Sequence, residues 1–352
     1  VDLNQINIPR DSVNVGIGVV PEAWASTRKA LQIGDRGSVI HSDDASLAMF
    51  SNAYNDGAWK RIEEGHVSGI DLNSESGIAT FNMSGTAAAD AAITWTTTMK
   101  LDINSRISLS NNDAGTSNTT FGKLAGAALA SGGNYNLLIG ENSGNDLTAG
   151  DSNIAIGYNA LALATTAADD NTVVGTSAMS GNWTTAEVDD CVVIGSSALQ
   201  GVLTTDASGT IAIGKSALTA LTSGAGNTAV GYNSGALITT GASNTILGHG
   251  AMDATPVAAT GNVAIGTNSM GGASSAQSAS NYNVSIGTNS MVAVLNGALS
   301  NVAVGYGSLG ALVDGDYNSV LGKEAGVNIV AGDSNSVIGT EAGTVITSGN
   351  QN

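Results

Sequence analysis

The sequence predicts an all-β chain: an elongated parallel β-solenoid or β-roll of about thirteen repeats, preceded by a small N-terminal β module. Three observations predict it. The first is a recurring phrase of Asn, a β-former, a small residue, a large aliphatic and Gly, as in Asn153-Ile154-Ala155-Ile156-Gly157. Its anchor glycines are Gly122, Gly140, Gly157, Gly175, Gly195, Gly214, Gly231, Gly248, Gly266, Gly287, Gly305, Gly322 and Gly339, lying 17 to 21 residues apart. The second is that spacing itself, because helical repeats need about 33 residues or more per unit. Strand formers flank each anchor, and Asn and Gly recur too often for stable helices. The third is composition: 42% hydrophobic residues exclude disorder, and only 4% aromatics point to a thin core of small aliphatics.

Taken in order, residues 1–27 read as an irregular lead-in punctuated by Pro9 and Pro21, with one stray copy of the phrase at Asn14-Val15-Gly16-Ile17-Gly18. Residues 28–110 read as a small antiparallel β domain. Its β-like runs are Ser38-Val39-Ile40, Ala58 to Ile62, Ile78 to Phe81, and Ile93 to Ile103. In the last run Trp95, Thr97, Met99, Leu101 and Ile103 alternate with Thr96, Thr98, Lys100 and Asp102, the period of a half-buried strand. Residues 111–352 form the repeat domain.

The phrase has its own physics. The residue before each anchor is always large and apolar, from Phe121 to Ile338, and is expected to point into the coil. The residue before that, usually Ala or Val with Thr120 and Ser285 as exceptions, points to the opposite face. A strand apolar on both faces is buried on both. The outer face must therefore meet another chain or a second surface of the same chain, and a homotrimer is the simplest closed solution. Four residues before the anchor stand Asn118, Asn136, Asn153, Asn171, Asn227, Asn244, Asn262, Asn283, Asn301, Asn318 and Asn335, read as a stacked ladder in preference to a ligand site. Cys191 and Thr210 fill the same slot, so Cys191 reads as a buried small residue. The anchor glycine serves a positive-φ bend or a close backbone approach.

The net charge of −18 falls mostly on the repeats: residues 107–352 hold three Lys, no Arg and 16 acids. Nucleic-acid binding, which needs Lys and Arg to displace counterions, is excluded. No apolar run approaches 18 residues, so no membrane insertion is expected. Asp151, Asp170, Asp190, Asp316 and Asp333 precede phrases and read as Asx-type turns, since the glycine-rich calcium β-roll pattern is absent. His41, His66 and His249 are scattered, and no catalytic set, metal set or cofactor motif is assigned. Two candidate surface features remain. Trp183 either stacks on a sugar or covers the solenoid edge, and Glu187 and Asp189 lie in an acidic loop that would matter only to a glycan-cleaving enzyme.

The phrases Asn153 to Leu161 and Asn227 to Ser234 resemble repeats of phage tail-fibre-like proteins. They are also similar to the β-roll heads of trimeric autotransporter adhesins. The lead-in phrase at 14–18 and the stretch Ile93 to Asp102 resemble modules that precede such repeats in tail fibres. The resemblance implies a structural fibre of a viral tail or similar appendage, trimeric, located on the virion or outside the cell, and attaching to a host-surface glycan or protein. The alternative it implies is a bacterial cell-surface adhesin or self-assembling extracellular filament subunit, placed second because autotransporter heptads are not matched. A glycan depolymerase comes third.

Overall fold

The computed structural model describes residues 14–17, 28–33, 37–42, 46–55, 58–73, 78–101, 107–109, 117–129, 132–163, 168–181, 183, 188–204, 207–254, 258–272 and 279–352. The chain divides into two units, residues 1–112 and 113–352. Both are all-β.

The first unit holds ten strands: β1 (Asn14–Ile17), β2 (Arg28–Ile33), β3 (Gly37–Ser42), β4 (Ser46–Ser51), β5 (Ala53–Asn55), β6 (Trp59–Arg61), β7 (Gly65–Asn73), β8 (Ile78–Ala87), β9 (Thr96–Leu101) and β10 (Ile107–Leu109). Eight form one sheet in the order β1-β2-β3-β4-β7-β8-β9-β10, and β5-β6 is a separate hairpin. The pairing is antiparallel except between β1 and β2. The stray copy of the phrase within the lead-in is thus the sheet's first strand; residues 1–13 and 18–27 lie outside the described residues. One register row crosses the whole sheet: Val15, Leu31, Val39, Met49, Ile70, Phe81, Met99 and Leu109. On the other parity Ala48 and Phe50 are buried with Ala53, Tyr54 and Val67, against Trp59, Ile62, Ile93 and Trp95. Phe50 lies edge-on to Trp59 at 4.5 Å and lies over its register partner Gly69, where any Cβ would collide with the ring. The buried Arg61 guanidinium donates to Gly65 O, Ala92 O, Ser84 Oγ and Gly85 O, so its charge is met by four oxygens and β6 is tied to the chain around β8.

The second unit is a parallel β-solenoid. Thirteen three-residue strands, β11 (Thr119–Phe121) through β23 (Ser336–Ile338), each cover the three residues before one anchor glycine and pair in register with the next coil. Positions are counted below from the anchor. The middle strand residue, −2, is the inward one: Ala155, Val173, Val193, Ala212, Ala229 and Ala303 are fully buried. The large residue at −1 faces outward, with Phe121 66%, Leu247 47% and Ile338 77% exposed. The sequence expectation had these two faces exchanged. The coil is filled from its other side, by Leu161, Met179, Leu199, Leu218, Met252, Met270, Met291 and Leu309 at +4, and by Leu147, Leu221, Ile238, Leu312 and Ile329 at +7. Side chains of that size reach across to −2 and leave room for little more than Ala or Val. In the coil of Leu138, position +4 is Gly144, whose added Cβ would sit 2.9 Å from the leucine methyls.

Every coil carries positive φ at −5, at the anchor, at +2 and at +4, as at Asp190, Gly195, Ser197 and Leu199. Leucine and methionine rarely adopt it, at about 1–2 kcal/mol per residue. Packing at +4 overrides that preference. The anchor has two reasons to be glycine: Gly195 has φ +138, and an added Cβ would lie 2.5 Å from Gly214 O in the next coil.

Gly195→Ala should therefore destabilise the solenoid by on the order of 3 kcal/mol, combining strain with backbone collision. Gly209→Ala, at φ +67 with nothing near the added methyl, should cost only about 1 kcal/mol. Denaturant midpoints of the two variants check the ratio.

Candidate functional site

The residues that the repeat holds in register fall into columns along the solenoid. The innermost polar column is the asparagine at −4, buried in every coil that has it. Its Oδ1 accepts from both the backbone N–H and the Nδ2 of the asparagine one coil later, as Asn136 accepts from Asn153 at 2.9 and 3.0 Å. Its Nδ2 has a second proton, which goes to a backbone carbonyl closing its own coil, as from Asn136 to Gly150 O at 2.7 Å. Each buried amide is fully used, which is what makes its burial affordable. The column continues to Asn352, whose N–H and Nδ2 both reach Asn335 Oδ1. These asparagines are consumed by packing and offer nothing to a ligand.

The column is interrupted at two coils. Cys191 N–H still reaches Asn171 Oδ1 at 3.0 Å, but its thiol makes only long contacts to Asp189 O and Ala207 O. Burial pushes the Cys191 thiol up to about 11, so it is no nucleophile at neutral pH. Thr210 Oγ1 is buried without a hydrogen-bond partner. Gly224 O, the carbonyl that an amide at 210 would take, accepts from Asn227 Nδ2 instead.

A second column lies at −6 and runs the opposite way: a side chain of the later coil accepts from the backbone of the earlier one. Asp151 Oδ1 accepts from Asn134 N–H at 2.6 Å, Asp169 from Asp151, and Asp189 from Asp169. Asp316 accepts from Leu299 and Asp333 from Asp316. The acids before the phrases therefore bond between coils, which corrects their reading as local Asx turns. Asp189 belongs to this column and is structural. Asp170 and Asp190 sit one place later, in the left-handed conformation that Asp tolerates. Trp183 is 2% exposed and packs in the solenoid core, so it is no platform for a sugar. Glu187 lies outside the described residues.

The outward columns are what remains for function. At −5, Tyr135, Tyr282 and Tyr317 are each more than 60% exposed. The sequence carried their signal, a tyrosine immediately before the ladder asparagine in Asn-Tyr-Asn or Asp-Tyr-Asn, and the reading missed it. Tyr317 lines an open depression of about 330 Å³ with Asp316, Asp333, Ser334, Asn350 and Gln351. At +1, Lys215 lies 5.9 Å from the Tyr232 ring centroid, and Tyr232 stacks on His249 at 5.2 Å; Lys123 pairs with Glu141 at 3.2 Å. On the strand face the −1 residues make a column that is large and apolar in every coil, exposed at Ile194, Leu247 and Leu321, while the −3 column mixes aliphatics such as Ile154 and Val302 with Thr119, Thr172, Thr228, Thr245, Ser319 and Ser336. Among the described residues no three His, Cys, Asp or Glu side chains converge as metal ligands would.

Compared with models of protein families, with curated proteins and with solved structures, the chain matches none.

The two ladder faults give a test. Thr210→Asn should raise stability by about 1–2 kcal/mol, by adding amide bonds and removing an unsatisfied buried hydroxyl. Asn244→Ala should lower it by roughly 3 kcal/mol, because Asn262 and Asn227 lose partners in a buried site. Thermal or denaturant midpoints check both signs.

Proposed function

We propose that this chain is a structural fibre protein of a viral tail or similar appendage, that three copies associate through the solenoid strand faces, and that the assembly attaches to a host cell surface. The observation that carries this reading is the aliphatic strand face. Thirteen strands at about 4.8 Å make a column roughly 60 Å long. An apolar stripe of that length exceeds what soluble monomers leave bare. A closed ring of three gives each copy two neighbours and places the −1 column, apolar in every coil, towards the shared axis with the mixed −3 column beside it.

Attachment falls to the columns that self-association leaves free. The exposed tyrosines at −5 combine a flat apolar ring with a hydroxyl, the combination that suits a surface glycan. The acid excess keeps the fibres apart from one another and away from nucleic acid. The location that follows is the virion or the cell exterior.

Native mass measurement of the full chain should give three times the 34.7 kDa of one chain. The double variant Ile194→Glu with Leu247→Glu should shift it towards single chains, whereas a wild-type protein that is already a single chain contradicts the reading. Replacing Tyr135, Tyr282 and Tyr317 with Ala should leave the mass unchanged and weaken binding of labelled protein to bacterial surfaces.

A further inference from the structure

We propose that the −5 column between Tyr282 and Tyr317, with the depression beside Tyr317, takes a neutral, extended glycan chain joined through equatorial linkages. The proposal rests on the attachment reading above and adds to it the class of sugar. The backbone holds this stretch of the column in register. Tyr282 N–H donates to Thr260 O and Ser300 N–H to Asn281 O, both at 3.1 Å; Tyr317 N–H donates to Leu299 O at 3.0 Å and Ser334 N–H to Asp316 O at 2.9 Å. Tyr282 and Tyr317 therefore stand two coils apart, about 10 Å, with the small Ser300 between them. The Tyr282 ring lies against Gly261 one coil earlier, where an added Cβ would come within 2.7 Å of Cδ1, so a bare backbone seats it. The rise of one coil is close to the rise per ring of an extended pyranose chain with equatorial linkages. In such a chain alternate rings present the same face, so two rings flanking a third can stack on Tyr282 and Tyr317 together.

The polar groups beside the tyrosines match the rim of a sugar. Asp316 Oδ1 accepts from Leu299 N–H, Asp333 Oδ1 from Asp316 N–H, and Asn350 Oδ1 from Asp333 N–H. One oxygen of each side chain is thus fixed by the coil before. The second carboxylate oxygen of each aspartate and the Asn350 Nδ2 are left for a ligand, on side chains that cannot swing away. These three residues line the depression with Tyr317, Ser334 and Gln351, and its volume of about 330 Å³ is at the lower end of the range of ligand pockets. Two acceptors and a donor, one coil apart beside an aromatic ring, suit hydroxyls at the edge of a pyranose whose C–H face is stacked. Charge sets the class. The described lining holds two carboxylates and no Lys, Arg or His. It lies in a repeat domain with three Lys, no Arg and 16 acids over residues 107–352, so a uronate or a phosphorylated sugar is repelled.

Calorimetric titration of the full chain with sugar hexamers tests this. Cellohexaose and chitohexaose are neutral and equatorially linked, maltohexaose is neutral but axially linked and coiled, and hexamannuronate is equatorially linked but anionic. At least one of the first two should bind, and the last two should not. Tyr282→Ala and Tyr317→Ala should each weaken that binding roughly tenfold, the loss of about one stacked ring. Tyr135→Ala, far along the column, should leave it unchanged. Asp316→Asn with Asp333→Asn keeps both bonds between coils, because an amide oxygen still accepts, and should let hexamannuronate bind. The proposal is overturned if neither cellohexaose nor chitohexaose binds, if maltohexaose binds as well as they do, or if the Tyr282 and Tyr317 variants keep the wild-type Kd. A chain that binds bacterial surfaces and none of the hexamers overturns this site and leaves attachment standing. A chain that binds cellohexaose or chitohexaose through Tyr282 and Tyr317 but ignores those surfaces bears out the site and overturns attachment.

Discussion

Each coil after the first, apart from the two that follow Cys191 and Thr210, hangs on the side-chain amide of the asparagine one coil earlier. That amide fixes the backbone entering the next strand and ties the end of its own coil, so coil spacing and strand register are set by one residue type. Asn136, Asn153 and Asn171 do this in succession. The carboxylate column at −6 bonds in the reverse direction, as Asp169 does to Asp151, and together the two columns clamp the turn between them. Stability in such a stack is a sum over neighbours, and the coils around Cys191 and Thr210 are where that sum is poorest.

The ladder also makes the strained backbone tolerable. Leu199 and Met252 sit at positive φ, which neither residue chooses alone. The cost is offset because the conformation aims their side chains into a coil too narrow for large residues on both sides. The strand therefore gives its inward position to alanine and valine and sends Ile, Leu and Val outward. A thin solenoid built this way fills its interior with small residues and turns its large aliphatics outward, so the proposed association would rest on the same size rule that governs the core.

The sequence showed the architecture clearly, because a repeated phrase reports its period whatever its details. It misled on the direction of the pleat. Ala155 and Ile156 are both apolar, so alternation offered no polar cue, and size suggested that isoleucine belonged inside. The informative signal lay five residues further on, where Leu161, Met179 and Gly144 exchange at one position: a slot that accepts leucine or glycine is an interior slot with a special backbone. Asp189 was misjudged for a related reason, since a lone acid in a loop reads as free until the Asp169 N–H of the coil before is seen beside it. The tyrosines at 135, 282 and 317 were not legible as a column, because only three of the thirteen coils carry one at −5. In the first unit, the alternation of β9 was plain, while the parallel pairing of β1 with β2 joins segments too far apart for periodicity to show.

The most direct measurement is hydrogen exchange of asparagine side-chain amides by NMR on the native chain. The ladder amides of Asn153, Asn244 and Asn301 should be protected to the same degree as the strand backbone amides beside them, and far more than the exposed amide of Asn328. Ladder amides that exchange as rapidly as Asn328 would contradict the claim that these side chains hold the coils together.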